Sequence, residues 1–177
     1  AAAPDRFAPL RRAIARIEHD AGGPIGVALV DTGSGARFEH RATSRFPLCS
    51  TFKLLLAARL LDGAQNRRWS MADRLPVTRA DMIDHAPFTQ TRIGGSASLL
   101  ELAEAMVTNS DNPAANIALR HIGGPAELTT WLRSVGDMVT RIDRFEPEMN
   151  NEKPGDPRDT TTPAAMLATC RRLATRG

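Results

Sequence analysis

A serine followed three residues later by a lysine, Ser50-Thr51-Phe52-Lys53, opens the apolar run Leu54-Leu55-Leu56-Ala57-Ala58. On a helix those two side chains share a face, with Cβ atoms roughly 5–6 Å apart. A serine hydroxyl is a poor nucleophile until a neighbour takes its proton, and a desolvated lysine of lowered pKa can do that. The helix amino terminus would also favour the negative charge of an acyl intermediate. The same letters also spell an N-cap serine with a lysine lying along the surface. A lysine heading a buried helix, however, needs a reason to be there. Sixty residues on, Ser110-Asp111-Asn112 offers a second hydroxyl to relay a proton to a leaving group and an amide to orient substrate, or simply loop and cap chemistry. S-x-x-K followed by S-D-N is much rarer by chance than either motif alone. The third element is Arg144-Phe145-Glu146-Pro147-Glu148-Met149-Asn150. Glu146 and Asn150 are spaced to hold one water between a carboxylate and an amide, an arrangement suited to ester hydrolysis. Arg144 and Asp159 bracket the loop, and a salt bridge between them would pin its neck. Glu148 and Asp143 read as plain surface charges.

These residues need a scaffold, and its elements are partly legible. Leu10, Ile14 and Ile17 recur at helical spacing up to Gly22-Gly23-Pro24. Ile25 to Val30 reads as a buried strand, Asp31 to Gly35 as a turn, and Ala36 to His40 as the return strand of a hairpin. Thr51 to Leu61 forms a buried helix ending near Gly63. Ser98-Leu99-Leu100-Glu101 is a capping box opening a helix through Val107. Pro113 and Pro125 each begin a further helix, separated by Gly123-Gly124. Residues 144–159 are polar and aperiodic, with three prolines and one glycine. Thr162-Pro163 opens a last helix containing Met166, Leu167 and Leu173. No later segment reads convincingly as a strand, so the hairpin lacks the neighbours a stable sheet needs.

Composition removes other classes. The 177 residues carry 23 Lys+Arg against 20 Asp+Glu, with 42% hydrophobic and 24% charged residues, which excludes global disorder. No apolar run approaches the roughly 18–20 residues needed to cross a bilayer. The pI near 9.5 rests on interspersed arginines, and only six Phe, two Trp and no Tyr are present, so neither nucleic acid nor membrane is an expected partner. Two cysteines exclude a disulfide scaffold. No His/Cys/Asp/Glu cluster has metal-ligand spacing, so no metal or other cofactor is expected. Ala1-Ala2-Ala3-Pro4 has neither a charged n-region nor an apolar stretch behind it, and so is not an intact signal peptide.

Taken together and in this order, Ser50-x-x-Lys53, Ser110-Asp111-Asn112, Glu146-x-x-x-Asn150 and the stretch from Gly155 to Pro163 resemble a class A serine β-lactamase along essentially the whole chain. The resemblance implies an α+β fold of the β-lactamase/transpeptidase type, with an all-α subdomain beside an antiparallel sheet. Residues 1–48 would be the start of the α/β subdomain and residues 49–177 the helical subdomain with its active-site loop. It implies Ser50 as acylated nucleophile, Lys53 as its proton partner, Ser110 serving the lactam nitrogen and Glu146 as base for the deacylating water. Asn112, Asn150 and His85 would be substrate-binding, although as a lone histidine His85 reads equally as a surface residue. Whether Lys53 or Glu146 takes the first proton is left open. The oxyanion hole would use the Ser50 N–H and a donor from a later strand. Cys49 matches a position that in some carbapenem-hydrolysing members forms a disulfide to the late strands, and Cys170 would be a small buried residue.

The chain departs from the family pattern at Phe145, where Trp is common, and in lacking a K-T-G string; Asp31-Thr32-Gly33 is the nearest. The resemblance therefore implies an amino-terminal portion, completed by a carboxyl-terminal complement of the same fold and otherwise monomeric. A periplasmic or secreted location and β-lactam antibiotics as substrates go with it. Two competing readings are a penicillin sensor or D-Ala-D-Ala peptidase that is acylated without fast turnover, and a non-catalytic fragment. The carboxylate at Glu146 argues against the sensor and the peptidase.

Overall fold

The first helix, α1 (Ala8–Ala21), ends where Gly22 turns left-handed at φ 66°, a backbone state that glycine adopts without a Cβ penalty. The structure is a computed structural model and describes residues 5–151 and 153–175. Ile14 is buried as its spacing requires, but Ile17 is 48% exposed. The inward position one turn after Ile14 is four residues on, and Glu18 occupies it. Its carboxylate accepts hydrogen bonds from the Ile25 N–H (2.8 Å) and Arg41 Nε (2.8 Å), and lies 3.1 Å from His40 Nε2. These contacts, the Ile25 bond foremost, pull the Glu18 carboxyl from its ordinary 4.5 down to about 2. A depressed carboxyl stabilises the fold above its unfolded pKa, and that contribution is lost as pH falls toward the folded value. Glu18→Gln should therefore lower the denaturation midpoint at pH 7 and make little difference near pH 2. An equal deficit at both pH values would contradict this.

Strands β1 (Val27–Val30) and β2 (Arg37–His40) form the expected antiparallel hairpin, from Val27 opposite His40 to Val30 opposite Arg37. Asp31 closes its turn by accepting from the Gly33 N–H and from the Ser34 hydroxyl. The chain then passes through α2 (Phe52–Gln65), which follows a tight turn at Cys49–Thr51. Strands β3 (Arg74–Val77) and β4 (Gly95–Ser98) pair antiparallel, from Arg74 opposite Ser98 to Val77 opposite Gly95. Sequence reasoning missed this pair. Each strand is four residues long, one contains Pro76 and the other begins with Gly95, and only Val77 and Ala97 are buried, so no alternation announces them.

Ser98 caps α3 (Leu99–Thr108) with the expected reciprocal bonds: Glu101 N–H to Ser98 Oγ at 3.1 Å, and Ser98 N–H to Glu101 Oε2 at 2.8 Å. Helices α4 (Asn112–His121) and α5 (Pro125–Ser134) follow, each with proline in its first turn. Leu55, Leu56 and Leu60 of α2 are fully buried, as are Leu102, Leu119, Leu128 and Leu132 on the three later helices. Helix α2 ends at Gln65, near Gly63 as expected, with the glycine itself inside the helix. A Cβ there would stand 1.9 Å from the Trp69 ring, so the glycine is needed for close approach, not for termination.

The last helix, α6 (Pro163–Thr175), corrects the expected domain boundary. Two compact units form: Ala1–Phe46 with Thr161–Gly177, and Pro47–Thr160. Helix α6 belongs with the hairpin and not with the helical unit. It packs on β1, the Ala164 N–H donates to the Ala42 carbonyl, and Gly26 lets the Phe46 and Pro163 rings approach where a Cβ would meet both. Cys170 on α6 is half-buried rather than buried, and what burial it has pushes its thiol pKa up.

Candidate active site

Ser50 sits in the turn Cys49–Thr51 that feeds α2, so its N–H is among the amides that a helix start leaves without an intrahelical acceptor. Its side chain is exposed, while Lys53, one turn on, is 1% exposed. Three non-glycine residues around this point hold left-handed backbone: Cys49 (φ 43°), His85 (φ 63°) and Ser110 (φ 57°). Each such residue costs of order 1–3 kcal/mol and persists only where its surroundings hold it. Cys49 precedes Ser50, and Ser110 is itself one of the three.

Lys53 Nζ is where the motifs converge. It lies 2.8 Å from the Ser110 carbonyl, 2.6 Å from Asn112 Oδ1, 3.0 Å from Ser110 Oγ, 3.3 Å from Ser50 Oγ and 3.6 Å from Glu146 Oε1. An ammonium has three protons and so cannot serve five acceptors at once. The two shortest contacts fix the amine, and the two serine hydroxyls and Glu146 share what remains. Ser110 Oγ in turn donates to Ser50 Oγ at 2.8 Å. Burial lowers the Lys53 pKa, with Glu146 and then Asp111 opposing it. A buried amine with lowered pKa, beside a serine hydroxyl and a carboxylate, has the properties of a proton acceptor.

Glu146 is 3% exposed. Asn150 Nδ2 donates to its Oε2 directly at 2.6 Å, so the amide and carboxylate touch instead of standing apart around a water. Oε1 is buried without a hydrogen bond and faces the Lys53 amine. Oε1 is thus the carboxylate oxygen with hydrogen-bonding capacity to spare. Glu146 is held from behind by Asn116 on α4, whose Nδ2 donates to the Glu146 carbonyl at 2.8 Å and whose Oδ1 accepts the Glu146 N–H at 3.0 Å. Sequence reasoning missed Asn116. The available signal was an amide four residues after Asn112, in the apolar stretch Pro113-Ala114-Ala115-Asn116-Ile117-Ala118. It also missed Asp111, fully buried, which caps α4 through the Ala114 N–H and accepts from the N–H groups of Phe88 and Thr89. Asn116→Ala leaves two buried backbone groups unpaired, each costing about 1–3 kcal/mol. A lower denaturant midpoint is expected, and an unchanged midpoint would show that the Glu146 backbone needs no such support.

The bracket on the loop is present and has more members than the sequence suggested. Arg144 Nε reaches Asp159 Oδ2 at 2.6 Å, and Asp159 Oδ1 accepts the N–H groups of Asp143 (2.7 Å) and Arg144 (3.0 Å). Asp143 is not a plain surface charge. Its Oδ2 accepts the Asp159 N–H at 3.0 Å, Arg141 forks onto it, and these hydrogen bonds outweigh its partial burial and depress its carboxyl pKa. Glu148 is exposed, as expected.

Asn112 has its amide turned inward, with Nδ2 donating one proton to the Asp84 carbonyl at 3.0 Å and keeping a second. His85 contributes backbone, its carbonyl accepting the Asn112 N–H at 3.0 Å, while its exposed ring is tied through Nε2 to the Asn109 carbonyl at 2.8 Å. Cys49 is exposed. Among the described residues, no group of three or more His, Cys, Asp or Glu is placed to hold a metal ion, and no helix is long and apolar enough to cross a membrane.

A family profile described as the beta-lactamase enzyme family matches residues 9–177. The chain belongs to that family. It is 48% identical to beta-lactamase L2 of Stenotrophomonas maltophilia over 159 residues, which are 90% of this chain and 52% of that protein. A solved beta-lactamase from Xanthomonas campestris pv. campestris superposes with a TM-score of 0.92 at 47% identity, covering 94% of this chain and 62% of that one. A class A beta-lactamase described as the last common ancestor of Gram-negative bacteria gives a TM-score of 0.93 at 49% identity, covering 96% and 65%. These neighbours place the chain with the class A β-lactamases, and its helices and small antiparallel sheets are a partial α+β fold of that kind. The chain spans about half the length of the curated relatives it matches.

Proposed function

We propose that the protein carrying these residues is a serine hydrolase that opens the cyclic amide of penicillin- and cephalosporin-type antibiotics through an acyl-enzyme on Ser50. The observation that carries this reading is the Lys53 amine, which stands within 3.6 Å of both serine hydroxyls and of Glu146 Oε1. Ser50 Oγ attacks the lactam carbonyl carbon while its proton passes to Lys53, or through a water to Glu146. The carbon–nitrogen bond then breaks, and Ser110 Oγ, 2.8 Å from Ser50 Oγ, hands a proton to the departing nitrogen and is recharged by the amine; where Glu146 took the first proton, it returns that proton to Lys53, 3.6 Å away, before deacylation. A water resting on Glu146 Oε1 next loses its proton to that carboxylate and attacks the ester carbonyl. Ser50 leaves with a proton, and the carboxylic acid product departs. The second N–H of Asn112 Nδ2 would meet the acylamide carbonyl of the drug, and the Ser50 N–H would supply one oxyanion donor.

The arrangement of Glu146, Asn116 and Asn150 favours turnover over a receptor that stays acylated, because a buried carboxylate with one unpaired oxygen has no use in a purely covalent trap. The same reading carries a periplasmic or secreted location with it. Intact-mass measurement after a penicillin pulse tests the proposal. A transient adduct on Ser50 that decays with release of hydrolysed drug is expected. A permanent adduct would favour the sensor, and no adduct would remove the catalytic reading.

A further inference from the structure

Behind the catalytic end of α2, roughly 9 Å along the helix from Lys53, lies a cleft of ≈ 210 Å³ lined by Arg59, Asp62, Arg68, Glu127, Trp131 and their neighbours. Its chemistry is unbalanced in hydrogen-bonding terms. Arg59 is 4% exposed, stacks over the Trp69 ring at 4.8 Å, and has one weak acceptor, Asp62 Oδ2, at 3.4 Å from Nη1. Its Nε is buried with no acceptor. A guanidinium carries five N–H donors, and a buried one ordinarily has most of them paired. Asp62 cannot make up the deficit, because Oδ2 also accepts the Trp131 indole N–H at 3.0 Å and Oδ1 accepts Asn66 Nδ2 at 3.2 Å. Arg68, exposed on the rim of the same cleft, makes no side-chain hydrogen bond or ion pair among the described residues. Two guanidinium groups therefore face one small space with donors to spare.

We propose that this cleft is a binding site for a free tetrahedral oxyanion of the phosphate or sulfate class, held between Arg59 and Arg68. The volume suits one such ion with its waters and is below the ≈ 300–1,000 Å³ of sites for drug-sized ligands. Arginine is the side chain suited to such ions, since its planar fork matches two oxygens at once. Burial and then the charge of nearby Arg68 lower the Arg59 pKa, a repulsion that a bound anion would relieve. Glu127, which also lines the cleft, is the internal competitor for the same charge. The site stands apart from the Ser50 machinery and does not depend on the hydrolase reading.

Both tryptophans of the chain report on it, Trp131 lining the cleft and Trp69 lying under Arg59. Titrating inorganic phosphate into the protein at constant ionic strength, balanced with chloride, should give a saturable change in tryptophan emission and a rising melting temperature, since a ligand of the native state stabilises it. Sulfate should behave alike. Arg68→Ala, at an exposed position, should fold normally and weaken the apparent affinity about tenfold or more, as losing a charge-assisted contact does. Glu127→Gln should tighten it. Responses that stay linear, that chloride reproduces, or that persist unchanged in Arg68→Ala would overturn the site. A phosphomonoester binding as tightly as inorganic phosphate would overturn its restriction to the free ion.

Discussion

Glu146→Gln, pulsed with a penicillin, should accumulate acyl-enzyme that the unsubstituted protein clears. The substitution keeps the side-chain shape and the Asn116 bonds to the Glu146 backbone, at 2.8 and 3.0 Å, because those involve main-chain atoms. It removes the charge and the basicity of the group, and it turns one of its two oxygens, that held by Asn150 or that buried 3.6 Å from Lys53, into an NH₂. Loss of a positioned general base typically costs about 10²–10⁴-fold, and here the loss should fall on deacylation. The same variant separates the two routes for the first proton. If Lys53 takes it over 3.3 Å from Ser50, acylation in Glu146→Gln should proceed at a rate close to that of the parent. If Glu146 takes it through a water, acylation should slow as well. The charge balance adds a further expectation. Glu146 is the largest influence holding the Lys53 pKa up against burial, so removing its charge lets that pKa fall further, and the acylation limb governed by Lys53 should move to lower pH. Rapid-quench mass measurement from pH 5 to 9 reads both. Equal acyl-enzyme lifetimes in variant and parent would remove Glu146 from the mechanism.

What the sequence made legible follows from the range of the interactions involved. Ser50 and Lys53 are one helical turn apart, and Ser98 and Glu101 form their capping box within four residues, so local geometry alone predicts their contacts. Ser110-Asp111-Asn112 could be recognised as a motif, but the part played by Asp111, which joins α4 to the 88–89 backbone, depends on a contact 22 residues distant. Asn116 was hidden for the same reason. Its partner is the backbone of Glu146, which carries no side-chain signature. Ile17 was misjudged because a purely apolar stripe has no place for a charged residue, while the structure turns Glu18 inward and satisfies it with Ile25, His40 and Arg41. Strands β3 and β4 were missed because four-residue strands with one buried position each carry no period. Asp143 read as a surface charge because its partner, the Asp159 N–H, lies 16 residues away.

That clasp between residues 143 and 159 sets the second large expectation. Asp159 is fully buried, with left-handed backbone at φ 53°, and its carboxylate collects the N–H groups of Asp143 and Arg144 as well as Arg144 Nε. Its own N–H goes to Asp143 Oδ2 and its carbonyl accepts the Leu48 N–H at 2.8 Å, two residues before Ser50. Asp159→Asn keeps the shape but replaces an acceptor-only group with one oxygen and one NH₂. The amide cannot accept on both sides, so either the Arg144 guanidinium or the pair of backbone N–H groups faces a donor. Arg144 Nη1 already donates to the Asn151 carbonyl at 3.0 Å and Nη2 is buried without an acceptor, so a displaced Nε would add a second unpaired donor. Breaking a buried pair by removing one charge costs about 3–5 kcal/mol, against a total stability of about 5–15 kcal/mol for a domain. The variant should still fold, but the loop from 144 to 159 should open locally at a much smaller cost than in the parent. Hydrogen exchange should therefore quicken at the Asp143, Arg144 and Asp159 amides while the cores of α2 and α3 stay protected. Because Glu146 is carried by that loop and Ser50 by the turn that feeds α2, penicillin deacylation should slow more than acylation. Unchanged protection across 143–159 would mean that the neck is held by Asn116 and the Arg141–Asp143 fork without the Arg144–Asp159 pair.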